Sequence, residues 1–236
     1  MSEKHLFSTK DPILRKKVIQ YLSEFITEQR LQRITSVLAL RTRYVTVVVE
    51  DLFQTQNISA VLRTCECYGV QDVHIIENEN EFQVHNAISL GANKWLSLFH
   101  YNSGGNRAEE CITHLKKNNY TVVATLPNDD SLFLDELPIN QPTAFLFGTE
   151  LKGLSSELIA LADKTVKIPM YGFTESFNIS NSVAIVLSDF VNKIRKSDIN
   201  ISLTEEEKEI LFLEWLQKSI RTPHLLIDRL NLVFRD

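Results

Sequence analysis

Three short stretches of this 236-residue chain concentrate side chains that a folded core has little use for. Asn57-Ile-Ser-Ala-Val-Leu-Arg63 places an amide and a guanidinium on one predicted helix. Phe147-Gly-Thr-Glu-Leu-Lys-Gly-Leu-Ser155 holds Glu150 between Gly148 and Gly153, glycines that permit tight turns or close approach of backbone to a ligand. Ile168-Pro-Met-Tyr-Gly-Phe-Thr-Glu-Ser-Phe-Asn-Ile-Ser180 brings Ser176, Asn178 and Ser180 to the start of an apolar helix. The N–H groups of a helix N-terminus favour anionic or polar ligands. Each stretch also has a plain structural reading. Asn57 reads as an N-cap, Ser155 as another, and any one of Asn178, Ser180 or Asn181 suffices to cap the third helix. Arg63 is less easily absorbed. Ile58, Val61, Leu62 and Cys65 form the core stripe of its helix, and at about 100° per residue Arg63 lies roughly opposite. It points to solvent, a partner subunit or a substrate.

Other chemistries are missing. The chain has no G-x-G-x-x-G dinucleotide loop, no G-x-x-x-x-G-K-[ST] phosphate loop and no G-x-S-x-G elbow. Its histidines form no paired metal motif, and His74 and His100 lie in or beside strands, where a structural role is expected. Cys65, Cys67 and Cys111 are too few and too irregular for a disulfide framework or a zinc site.

The elements that must position these residues follow from hydrophobic pattern. Tyr44–Val49 is β-branched and nearly continuous, as in a strand buried on both faces. Similar runs occur at Val73–Ile76, Tyr120–Ala124, Ala144–Phe147 and Thr165–Ile168, with Trp95–Phe99 a weaker sixth. Helical stretches lie between them at Ile58–Tyr68, closed by Gly69, at Ala108–Lys117 and at Ser155–Ala162. Alternation of strand and helix predicts an α/β domain with a mostly parallel sheet and helices on both faces. The boundaries expected are a basic helical extension at 1–43, the α/β domain at 44–195 and a second helical extension at 196–236. In the last, Thr204 reads as an N-cap before Glu205–Glu207, and Pro223 opens a short final helix.

Net charge is −5, but residues 1–43 carry nine Lys/Arg against four acids, so this segment is +5 and the rest −10. A basic arm on an acidic body fits phosphate binding by the arm, with Arg15, Lys16, Lys17, Arg41 and Arg43 the candidate RNA contacts. The N-terminus has no apolar core with a cleavage site, and no run approaches the roughly 20 apolar residues of a membrane span. A cytoplasmic enzyme away from membranes is expected.

Together, in this order and on this strand–helix background, the three stretches resemble the three motifs of the SpoU/TrmH branch of the SPOUT methyltransferases. The likeness covers roughly residues 44–195. The short basic arm and the C-terminal acidic helix resemble the subgroup that methylates guanosine 18 of the tRNA D-loop. Relatives acting on rRNA or on a wobble ribose with the same chemistry, and a non-catalytic RNA-binding module, are the alternatives. The resemblance implies a deep trefoil knot within about 144–190 and a homodimer whose active sites draw on both subunits. It also implies S-adenosylmethionine as methyl donor, with no metal required. The donor would be held near Thr125 and Leu126, at Phe147 and Gly148, and at Ile168 and Met170, with Phe177 and Ile179 in the adenine pocket. Arg63, Asn57, Glu150, Ser176 and Asn178 match the family's catalytic positions.

Overall fold

The computed structural model describes residues 6–80, 82–84, 89–128, 130–149 and 151–233. The chain divides into two compact units, one of residues 42–201 and one formed by 1–41 together with 202–236.

The 42–201 unit is built on a seven-stranded sheet: β1 (Val45–Glu50), β2 (Asp72–Ile76), β3 (Ser97–Tyr101), β4 (Thr121–Thr125), β5 (Leu132–Phe133), β6 (Thr143–Phe147) and β7 (Lys164–Lys167). All pairings are parallel, in the order β3-β2-β1-β6-β4-β7-β5. The six expected strands are present within a residue or two of their predicted ends. β5, two residues long, was too short to leave a hydrophobic pattern.

Side chains alternate across a strand, and the sheet separates two cores accordingly. Val45, Val47, Val49, Val73, Ile75, Phe145 and Phe147 face one way. They pack with α3 (Thr55–Cys67) and α6 (Ile179–Lys196). Val48, Ile76, Val122, Ala124, Ala144 and Leu146 face the other way, against α4 (Arg107–Lys117) and α5 (Ser156–Leu161). Every residue of β1 is buried, which accounts for its continuous apolar sequence. His74 is a structural residue of this second face. It stacks on Phe99 at 4.8 Å, and its Nδ1 lies 3.0 Å from the Tyr101 hydroxyl. Burial, with a smaller push from His114, takes its pKa down to about 3 and keeps it neutral.

Helix ends follow their sequence signals with one exception. α3 stops in a Schellman motif: Gly69, at φ 77°, donates to Glu66 O and Val70 donates to Cys65 O. Ser155 caps α5 and Asn178 caps α6. Asn57, however, is not the cap expected for α3. The helix begins at Thr55, and Gln54 occupies the cap position without a side-chain bond. Asn57 therefore sits within the first turn, buried, and its side chain does not cap the helix.

The second unit contains α1 (Pro12–Ser23), α2 (Glu28–Leu38), α7 (Glu205–Ser219) and α8 (Pro223–Val233). Asp11 caps α1 ahead of Pro12, and Thr204 and Glu207 close a capping box on α7. Val18, Leu22, Ile34, Leu38, Leu211 and Trp215 supply the core. Phe7 is tied to this core by Gln217, whose Oε1 accepts from Phe7 N at 2.8 Å while its Nε2 donates to Phe7 O at 2.9 Å. The basic arm and the acidic C-terminal helix thus form one body.

Candidate active site

Parallel strands end together, so the register decides which loops meet. Thr125 lies beside Val166, and Ala124 beside Leu146 and Thr165. Thr125-Leu126, Phe147-Gly148 and Ile168 therefore leave the sheet at one carboxyl edge from three adjacent strands. Leu126 N donates to Val166 O at 2.9 Å, and Thr125 Oγ1 donates to Leu146 O at 2.7 Å. Leu126, Ile168 and Met170 are half-buried there. Leu132, Phe133 and Phe177 leave apolar surface exposed. This edge thus gathers apolar groups and strand-terminal backbone in one place.

The loop after β6 is closed by a pair of hydrogen bonds, Thr149 N to Gly153 O at 3.1 Å and Gly153 N to Thr149 O at 2.9 Å. Gly153 has φ 68°. A Cβ on Gly148 would fall 2.1 Å from the Gly153 carbonyl and 2.3 Å from Leu154 N. Both are backbone, so position 148 admits no side chain. Glu150, named as catalytic from the sequence, lies outside the described residues.

The first and third motifs meet directly. Asn178 Nδ2 donates to Asn57 Oδ1 at 3.1 Å, across 121 positions of sequence. Asn57 Nδ2 donates to Gln54 Oε1 at 3.0 Å. Asn178 Oδ1 meanwhile accepts from Ser180 N at 3.0 Å and from Ser180 Oγ at 2.6 Å. Asn178 thus caps α6 with one end of its amide and links the motifs with the other. Ile179 is buried in the core beneath this pair and helps line a cavity with Asn57. Ser176 stands in an exposed loop, residues 171–178, every residue of which is exposed. Arg63 is exposed on α3, with no hydrogen-bond or ion-pair partner among the described residues.

Two acids escaped the sequence reading. Glu50, buried at the end of β1, accepts from Ser155 N at 2.8 Å and from Asn78 Nδ2 at 3.4 Å. Asp51 has φ 54°, a left-handed conformation that Asp and Asn tolerate best after glycine. Its Oδ1 accepts from three successive backbone donors, Asn78 N at 3.0 Å, Glu79 N at 2.8 Å and Asn80 N at 2.8 Å. The two acids therefore fix the loop after β2 and the start of α5 around the Asn57 cavity. The signal was there: adjacent carboxylates directly ending an apolar buried run.

The RNA contacts expected from charge need correction. Arg15 is only 3% exposed and engages Glu209 at 3.2 Å and Glu206 at 3.5 Å. Arg41 is only 1% exposed, its guanidinium 5.2 Å from the Trp215 ring centroid. Both guanidiniums are used up inside the helical unit, so neither presents a phosphate contact. Arg43 is ion-paired with Asp72 at 2.8 Å. Lys16 and Lys17 remain exposed, as do Arg30 and Arg33 on α2, which the charge count had included without singling them out.

An open parallel sheet with polar loops gathered at one carboxyl edge has the layout of an enzyme that binds a small donor there. The chain belongs to the SpoU rRNA methylase family, which it matches over residues 44–188. The tRNA (guanosine(18)-2'-O)-methyltransferase of Borreliella burgdorferi is 43% identical over 221 residues, spanning 94% of this chain and 99% of that protein. The TrmH/SpoU tRNA modifying enzyme of A. aeolicus superposes with a TM-score of 0.74 at 28% identity, covering 82% of this chain and 98% of that one. The SpoU methyltransferase AviRb of Streptomyces viridochromogenes, solved in complex with AdoMet, shares the fold with a TM-score of 0.58 at 22% identity. That match covers 69% of this chain and 65% of AviRb.

Proposed function

We propose that this chain methylates the ribose 2'-hydroxyl of guanosine 18 in tRNA, with S-adenosylmethionine as donor. The observation that carries this reading is the Asn57–Asn178 bond, which joins the first and third family motifs into one polar centre. The 43% identity along nearly the whole chain to a guanosine-18 enzyme supports the choice of nucleotide. The donor's methyl sulfonium is already a strong electrophile, so the protein's task is to place a ribose oxygen in line with it and favour loss of its proton.

Arg63 stabilises the alkoxide that develops at the 2'-oxygen. A guanidinium stays protonated at any ordinary pH, so Arg63 acts by charge and a substrate phosphate accepts the proton. Asn57 and Glu150 orient Arg63 and the ribose. Ser176 and Asn178 shape the site around the donor, and the edge at Thr125, Leu126, Phe147, Gly148, Ile168 and Met170 holds it, with Phe177 and Ile179 on the adenine side. A homodimer in which Arg63 serves the partner's donor site is supported by the exposure of Arg63 on α3, away from the core of its own unit. The last third of the α/β unit threads as the family's trefoil knot, and the helical unit holds tRNA phosphates through Lys16, Lys17 and the α2 arginines. Among the described residues no helix is long and apolar enough to cross a membrane.

Transfer of labelled methyl to unmodified tRNA, followed by nuclease mapping, tests this. Label as 2'-O-methylguanosine in the D-loop is the expected result, and Arg63→Ala should lower the rate by about 10²–10³-fold with the fold intact. Label at another ribose would discard the nucleotide, and near-normal turnover by the variant would discard the role of Arg63.

A further inference from the structure

The cavity beside Asn57 is walled partly by the three motifs and partly by residues 51–54, Glu79 and Asn80, which belong to none of them. It encloses about 180 Å³ and is lined in part by Asp51, Phe53, Gln54, Glu79, Leu151 and Lys152. That is below the roughly 300–1,000 Å³ of pockets that engulf a whole small-molecule ligand, so it suits a single planar group. Its apolar wall is open: Phe53 is 66% exposed and Leu151 96% exposed. Its polar rim is acidic. Asp51 is occupied by the loop after β2, and Lys152, the one cation among the described lining residues, bonds Glu79 Oε2 at 3.1 Å. Two carboxylates against one paired ammonium disfavour a phosphate here.

An aromatic face beside two carboxylates fits a nucleobase whose edge carries donors. RNA readers stack unpaired bases on aromatic side chains and bond their Watson–Crick edges. A carboxylate can only accept. Guanine offers adjacent donors, N1–H and the N2 amino group, whereas adenine presents an acceptor at N1. We propose that this cavity is the subsite for the guanine attached to the methylated ribose, with Phe53 as its stacking platform and Glu79 Oε1 accepting from its edge. The proposal rests on the tRNA methylation reading above.

The test compares wild type, Phe53→Ala, Phe53→Tyr and Glu79→Gln, using tRNA transcripts with guanosine or adenosine at the target position. Donor affinity is measured separately. Phe53→Ala should raise KM for tRNA about tenfold or more while donor affinity holds and kcat changes little, and Phe53→Tyr should restore KM. Glu79→Gln should narrow the preference for guanosine over adenosine by about tenfold. Wild-type KM in Phe53→Ala, or an unchanged preference in Glu79→Gln, overturns the subsite while leaving the methyltransferase reading in place. A wild-type enzyme that methylates no tRNA overturns both.

Discussion

The two sides of the site are built differently. On the Asn57 side, amides and carboxylates, with Asn57 and Glu50 buried, bond one another and the backbone: Asn57 to Gln54 and Asn178, Glu50 to Ser155, Asp51 to three successive N–H groups. On the other side, residues 171–178 are all exposed, Tyr171 to 95%. The chain alone determines the first geometry. In the second, only Asn178 is anchored, by its cap and its bond to Asn57. The first geometry is therefore intrinsic, set by the chain's own bonds, while residues 171–177 have no such bonds among the described residues to fix them.

Asp51→Ala attacks the intrinsic side hardest. It strips an acceptor from three N–H groups and puts Ala at positive φ, so stability should fall by about 1–3 kcal/mol. Methyl transfer should fall by about 100-fold, because the loop bordering the site loses its registration. Thermal unfolding and single-turnover rates measure the two, and wild-type turnover would show that the loop after β2 does not position substrate. Asn178→Asp probes the joint. The carboxylate keeps the helix cap but cannot donate to Asn57, so melting should stay near wild type while transfer drops about tenfold. Full activity would break the comparison, since the link between the sides would then be idle. The gentlest probe is hydrogen exchange. Saturating S-adenosylmethionine should slow amides of 171–177 by about tenfold or more and leave 78–80 unchanged. Equal protection of both segments would mean that the intrinsic side is not preformed.

The fold was legible where burial imposes period and composition. Val45–Glu50 is buried on both faces and reads as a strand from its valines alone, and the α3 stripe of Ile58, Val61, Leu62 and Cys65 is buried as its spacing predicts. Partners distant in sequence were not legible. Nothing in Arg15 or Arg41 announces Glu209 or Trp215, so charge counting misread them as surface groups. Asn57 was identified as polar and important but misread as a cap, because its true partner lies 121 residues away. Asp51 needed the third dimension twice, for its left-handed backbone and for the three amides it gathers.

The strand order also constrains how the sheet can be assembled on the ribosome. β1, β2 and β3 pair in the order in which they are made, so one half of the sheet can zip as it emerges. β4 pairs only with β6 and β7, and β5 only with β7. A nascent chain ending near residue 142 thus carries Val122, Val123 and Ala124, residues destined for full burial, on a strand with neither neighbour yet synthesised. Both must later slide into interior places between strands already made. Such non-local, parallel pairing is slow to form, and until it forms β4 is an open apolar edge. The strands whose carboxyl ends gather at the site, β4, β6 and β7, are therefore the last to be locked, and the interval before they close leaves the chain exposed to aggregation.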